Sequence, residues 1–293
     1  MDEVSKIVAE LGRVLPPKGL IMVVGGPDTG KSTMAAALAS WYFARGLVVS
    51  VVDGDIGQSD VGPPGFVSYG LLREEVSLLA HVPRAGSYLV GATSPYGRLL
   101  ATVAGVSTCA CWAQRDGAEV IIVDTCGLVG GSAGVRLKCA KAAALCPDLV
   151  LVLSAGWSLV SVKLRELGYR VEVISPLAGA RMRTAEERRQ NRSVRWSRYL
   201  KEASVTWVER ASYRIVPWWA DSARPNSGHL PRGTVVAFPD QRKPGLQVPA
   251  VWLGEDQGVG RVIAPHPVVG STGVLWTTSY VLLLSEDGCV LRA

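Results

Sequence analysis

Residues 25 to 32 read Gly-Gly-Pro-Asp-Thr-Gly-Lys-Ser, a complete G-x-x-x-x-G-K-[ST] loop. It lies between an apolar run, Leu20 to Val24, and an alanine-rich stretch, Ser32 to Arg45, that Gly46 stops. This arrangement restricts the fold severely, because it requires a buried strand, a tight glycine turn and a helix in immediate succession. The chemistry follows from the residue types. Glycines let backbone N–H groups close around phosphate oxygens, Lys31 adds a point charge, Ser32 offers a hydroxyl to Mg²⁺, and the helix aims its positive end at the anion. Gly26, Asp28, Thr29, Gly30, Lys31, Ser32 and Thr33 therefore form the expected cradle for the phosphates of a nucleoside triphosphate.

Downstream, short apolar runs bounded by turns alternate with helical patterns. Leu47–Asp53, Glu119–Asp124, Leu149–Leu153 and Val171–Ile174 read as strands; Arg98–Gln114, Ala133–Leu145 and Trp157–Leu167 read as helices. This rhythm predicts an α/β fold of the P-loop NTPase type, with a doubly wound, mainly parallel sheet. From residue 205 the pattern changes to short β-like pieces cut by Gly and Pro, beginning with Val205–Val208 and ending with Leu275–Leu284. The expected division is a P-loop domain over 1–204 and a small β-rich C-terminal domain over 205–293.

Composition sets limits. A chain of 293 residues can bury roughly three quarters of its unfolded surface. The longest apolar stretch, Leu149 to Val162, is too short and too interrupted for a membrane span, and Met1 to Leu11 is charged and amphipathic rather than leader-like. A cytoplasmic, monomeric protein without membrane or stable protein partner is the expectation. The six cysteines show no C-x-x-C pairing and read as buried thiols, and the scattered histidines His81, His229 and His266 argue against a zinc site. Arg181 to Arg198 holds seven arginines against Glu186 and Glu187, a net of +5 within a chain whose total is +6. A local cationic helix points to a polyanion, with a solvated helix face as the alternative.

Two further constellations sit at strand ends, where open α/β sheets bind ligands. Asp53-Gly54-Asp55-Ile56-Gly57-Gln58 places acids beside the phosphate loop, fit to hold the shell of a metal or to take a proton from a hydroxyl. Asp55 is favoured, although period-two alternation and the flanking glycines leave Asp53 open. Asp124-Thr125-Cys126-Gly127-Leu128 offers a hydroxyl and a bare amide to a phosphate.

Together GGPDTGKST, DGDIGQSDVGPPG, VGATSPYGR, DTCGLVGG and RTAEERRQNR resemble, in order, the motifs of the polynucleotide 5′-hydroxyl kinases that serve tRNA splicing, mRNA 3′-end formation and ribosomal RNA processing. The resemblance covers about residues 20 to 200. It implies ATP and Mg²⁺ as cofactors and a single-stranded or end-exposed RNA, or DNA, with a 5′-hydroxyl as substrate. By it Ser32 and Asp55 serve the metal, Lys31, Asp55, Arg183 and Arg188 act in catalysis, and Gln58, Thr125, Gly127, Arg189 and Arg192 meet substrate. The arginines fall in a lid over about residues 181–200. Arg suits that role because its planar fork pairs with phosphate bidentately.

Two departures stand out. Leu128 occupies the position of a clasp tryptophan, and the N-terminal β domain of larger members has no counterpart, so a stripped-down kinase core is expected. Trp196 and Tyr199 can either stack bases or pack internally, with packing the commoner use. Three other activities remain compatible with the loop: a nucleotide-switch regulatory ATPase, an ATP-bound RNA scaffold and a small-molecule kinase. The absence of an N-K-x-D motif argues against a GTPase.

Overall fold

A computed structural model describes residues 3–156, 158–179, 181–218, 230–265 and 273–293. Trp157, His229 and His266, which figure in the expectations above, lie outside the described residues. The chain opens with α1 (Glu3–Leu11), β1 (Gly19–Gly25), α2 (Lys31–Phe43) and β2 (Val49–Gly54). It continues through β3 (Phe66–Leu71), β4 (Arg84–Leu89), α3 (Leu99–Arg115), β5 (Val120–Thr125), α4 (Gly131–Leu145) and β6 (Leu149–Leu153). After α5 (Leu159–Glu166), β7 (Val171–Ile174) and α6 (Ala185–Tyr199) come the C-terminal strands. These are β8 (Ser204–Glu209), β9 (Tyr213–Pro217), β10 (Thr234–Pro239), β11 (Gln247–Asp256), β12 (Val259–Ala264), β13 (Gly273–Val281) and the hairpin β14 (Leu283–Leu284) with β15 (Val290–Arg292).

Five parallel strands form the expected centre, in the order β7-β6-β1-β5-β2. Their runs are apolar on both sides because helices cover both faces. Ile21 and Val23 pack with α1 and α2, while Met22 and Val24 point the other way toward α3 and its neighbours, as the two-residue period of a strand demands.

Beside β2 the sheet turns antiparallel through β3 and β4, two strands the sequence reading did not place. Their apolar alternation is broken by Ser68, Gly70, Gly86 and Ser87. The two serines face each other across the ladder and bond hydroxyl to hydroxyl at 2.8 Å, so a buried polar pair replaces an apolar one. Beyond β4 the sheet continues into the C-terminal strands through a single residue pairing, Gln247 with Ser87. The Gln247 side chain adds a stitch, accepting from the Leu89 amide at 2.7 Å.

The C-terminal strands also anchor α6. Trp196, fully buried, and Leu200 join Phe66, Leu89, Val235 and Val251 in one cluster, and Trp196 meets Phe66, Tyr199 and Tyr280 edge to face. Tyr199 donates its hydroxyl to the Pro249 carbonyl. Both aromatics are therefore packing residues, and neither is free to stack a base. The cysteine expectation is corrected in part: Cys109 and Cys126 are buried, but Cys111, Cys146 and Cys289 are exposed. Cys109 and Cys111 sit two positions apart on α3, about 200° around the helix, so only one can face the sheet.

Among the described residues no helix is long and apolar enough to cross a membrane. Trp196→Ala removes the largest side chain of the cluster that seats α6. It is expected to cost about 3–5 kcal/mol of stability, measured by urea unfolding.

Candidate functional site

The site occupies the carboxyl ends of β1, β5 and β2, where the parallel strands terminate side by side. Gly30 caps α2 in the left-handed region, φ 89°, and a Cβ there would lie 2.7 Å from Leu177, so only glycine fits. Lys31 is almost buried and folds back to donate to the Gly26 carbonyl at 2.5 Å, as Thr29 does at 3.0 Å. Thr33 is exposed on the first turn of α2.

Ser32 donates to Asp124 Oδ2 at 2.5 Å. The other oxygen of that carboxylate, Oδ1, is buried with no hydrogen-bond partner. A buried acceptor left open beside a phosphate-loop hydroxyl fits a hydrated divalent cation, which Ser32 and Asp124 could hold together. Sequence reading had assigned the metal to Ser32 and Asp55. Asp124 was visible in the Asp-Thr-Cys-Gly-Leu run, but only the β1–β5 pairing, which sets Val23 beside Asp124, brings it to the loop. Burial and neighbouring carboxylates push both Asp124 and Asp53 above the ordinary range, while Lys31 and the Ser32 hydroxyl pull Asp124 back.

The two acids at the end of β2 separate cleanly. Asp53 is buried and accepts from the Ser59 hydroxyl and from the amides of Asp55, Asp60 and Val61, which makes it the organiser of the loop that follows. Asp55 faces a cavity of about 550 Å³ and uses one oxygen to cap the Gly57 and Gln58 amides at 3.1 and 3.0 Å.

On the opposite wall the β5 loop brings Gly127 against Pro27. A Cβ on Gly127 would sit 2.8 Å from the Pro27 backbone, so the glycine permits this contact between the two loops. Gly127 and Leu128 line the cavity, and Thr125 does not. Thr125 is wholly buried, donating to the Val23 carbonyl at 2.8 Å and accepting from Lys138 at 3.0 Å. This corrects its expected contact with phosphate, because as the last residue of β5 it still obeys the strand's inward alternation.

The roof is the segment leading into α6. Thr184 caps the helix in a reciprocal box with Glu187. Asp28, the one non-glycine residue of the phosphate loop with positive φ, accepts from the Arg183 amide at 2.9 Å and the Arg188 guanidinium at 2.8 Å. Burial alone would raise the Asp28 carboxyl, but these two arginines outweigh it and hold it below its usual value. Arg183 and Arg188 are thus drawn over the loop by one carboxylate.

Arg192 also lines the cavity, with its Nε donating to the Ala293 carbonyl at 3.3 Å. Arg195, which sequence reading did not assign, lines it too, binding Asp60 at 2.9 Å and Gln58 Oε1 at 3.1 Å. Gln58 in turn donates to the Arg188 carbonyl at 3.0 Å, tying the Asp55 loop to the lid. Arg189 pairs with Glu186 at 2.6 Å and lies outside the cavity lining, a second correction. Its place on α6 directs it away, a difference that a count of arginines does not reveal.

A family model described as mRNA cleavage and polyadenylation factor CLP1 P-loop matches residues 25–202. The chain is 33% identical over 186 residues to a polyribonucleotide 5′-hydroxyl-kinase of Methanocaldococcus jannaschii and 32% identical over 190 residues to one of Pyrococcus furiosus. Each match covers 63% of this chain and 51% of the relative, so the chain spans about half the length of the curated relatives it matches. A Clp1 polyribonucleotide 5′-hydroxyl-kinase of Xenopus tropicalis is 31% identical over 192 residues, 61% of this chain and 43% of the relative. In structure, the chain resembles one in a solved wild-type Clp1p–Pcf11p complex, with a TM-score of 0.72 at 15% identity over 95% of this chain and 78% of that one.

Asp28→Asn keeps an oxygen for the Arg183 amide and tolerates the left-handed backbone, but loses the charge that draws in Arg188. The nucleotide-free variant is expected to be cut by trypsin at the lid arginines several-fold faster than the wild type. Equal cleavage rates would show that Asp28 does not hold the lid.

Proposed function

Because the chain belongs to the mRNA cleavage and polyadenylation factor CLP1 P-loop family, we propose that it is an ATP-dependent polynucleotide 5′-hydroxyl kinase. It transfers the γ-phosphate of ATP to the 5′-hydroxyl end of RNA, with DNA ends as a second acceptor class. The observation that carries this reading is the single cavity between the phosphate loop, Asp55 and Gly127, roofed by Arg183, Arg188, Arg192 and Arg195. A triphosphate donor has its cradle on one wall, and an acceptor has an acid and a bare-amide loop on the other.

Phosphoryl transfer needs positioning and charge neutralisation more than covalent chemistry. When ATP enters, the loop amides and Lys31 take its β and γ oxygens in place of the Gly26 carbonyl that Lys31 now holds. Ser32 and Asp124 would hold Mg²⁺, which would supply charge neutralisation for the transferring phosphoryl group. Arg183 and Arg188 exchange Asp28 for the γ-phosphate, a transfer between two anions that costs little charge separation. A lid arginine acting in this way can contribute roughly 10³-fold or more in rate. Asp55, half-buried at the strand end, orients the acceptor hydroxyl and takes its proton. Gly127, Gln58 and Arg192 border the acceptor path.

The deciding assay is incubation of the chain with γ-labelled ATP and a 5′-hydroxyl oligoribonucleotide, with the deoxy version in parallel. Label is expected on the 5′ end, and Asp55→Ala is expected to lower it by about 10²-fold or more. Binding should weaken with salt at a log–log slope of about −2 to −3, for three or four phosphates neutralised. ATP hydrolysis with no end label, or a flat salt response, would favour a regulatory ATPase instead.

A further inference from the structure

Beneath the acceptor loop lie two ammonium groups that none of the roles above uses. Lys138 and Lys141, one turn apart on α4, are both fully buried, and among the described residues neither has a carboxylate at ion-pairing distance. A buried charge without a counterion is costly and is seldom kept for stability alone. Their contacts show where the charges are directed. Lys138 donates to the Cys126 carbonyl at 2.5 Å and to the Thr125 hydroxyl at 3.0 Å, and it lies 3.6 Å from the Cys126 sulfur. Lys141 reaches the Gly54 carbonyl at 3.3 Å. One helix face thus holds the ends of two strands: β5, just before Gly127 and Leu128, and β2, just before Asp55.

Burial, Lys141 and Lys31 pull the Lys138 ammonium down to about 8, while Cys126 and Asp55 raise it. Thr125 extends this chain of hydrogen bonds, donating to the Val23 carbonyl and accepting from Lys138. The Cys126–Leu128 segment forms the cavity wall directly above. An anion resting on that wall would be the counterion the buried pair lacks.

We propose that Lys138, supported by Lys141, is a positioning residue that prepares the Cys126–Leu128 loop to receive the first internucleotide phosphate of the acceptor, the phosphodiester next to the 5′-hydroxyl nucleoside. The proposal deepens the kinase reading and rests on it for the identity of the acceptor. Lys138 does not touch that phosphate. It orients the Cys126 carbonyl and biases the loop with a compact charge, which a low-dielectric interior transmits more strongly than water does.

The test compares a 5′-hydroxyl dinucleotide, which carries that phosphate, with the corresponding nucleoside, which lacks it. Lys138→Gln keeps a donor for the Cys126 carbonyl and removes the charge. Lys138→Met removes both. In wild-type protein kcat/KM should favour the dinucleotide, and in Lys138→Gln that preference should fall about tenfold, with the KM for ATP changed less than twofold. Dinucleotide binding in the presence of a non-hydrolysable ATP analogue, measured by calorimetry, should weaken by the same factor. A preference retained in Lys138→Gln, or an equal loss with both acceptors, would overturn the inference. Should Lys138→Met fail to fold, Lys138→Gln decides alone. Wild-type protein that binds the dinucleotide phosphate-dependently but labels no end would remove the kinase reading and leave the loop assignment standing.

Discussion

Parallel strands that end at one edge force their loops together, and here that edge must hold opposite charges in a dry setting. The hydrogen bond between Ser32 and Asp124 is where this constraint is sharpest. It joins the donor loop after β1 to the end of β5, and its geometry leaves one buried oxygen open. Lys31, Asp55 and Asp60 all act on the Asp124 carboxylate. Buried Asp53 is satisfied by donors of the loop that follows it, whereas buried Lys138 and Lys141 meet only hydroxyl, carbonyl and sulfur atoms. The few groups left without a charged partner mark where ligand charge completes the set.

The lid follows from the same electrostatics. Four guanidiniums brought over one cavity would repel each other and drift into solvent unless acids held them. Asp28 holds Arg183 and Arg188, and Asp60 holds Arg195. Asp28 belongs to the phosphate loop itself, so that loop and the arginine segment above it share one carboxylate. The apolar side of α6 fixes the rest of the lid through Trp196, buried on the C-terminal strands. That explains why the β-rich segment and the nucleotide fold form one continuous sheet: the segment is the surface on which the roof of the site is mounted.

How much of this was legible depended on whether a signal was local. Leu149–Leu153 and Val171–Ile174 coincide with observed strands because a buried parallel strand must be apolar along its whole length. The phosphate loop, Asp55 and the arginine cluster announce themselves by residue type and spacing. β3 and β4 escaped because serine and glycine replace apolar residues where two backbones come close, so the period-two pattern disappears. Thr125 was misread for a related reason: its hydroxyl suits a phosphate, but strand pleating turns it inward to Val23 and Lys138. Asp124 and Arg195 act through partners 92 and 135 residues distant, Ser32 and Asp60, and no local pattern records such pairings.

By itself the sequence determined the nucleotide fold, the phosphate loop and the presence of a cationic segment over 181–198, since each rests on short-range chemistry: glycine freedom, apolar period and charge density. Tertiary structure alone decided which acid meets the loop hydroxyl, which arginines face the cavity, and that Lys138 and Lys141 sit beneath its Cys126–Leu128 wall. Those choices depend on strand order and helix facing. They are settled only when burial forces every charged group to find a partner or leave a place for one.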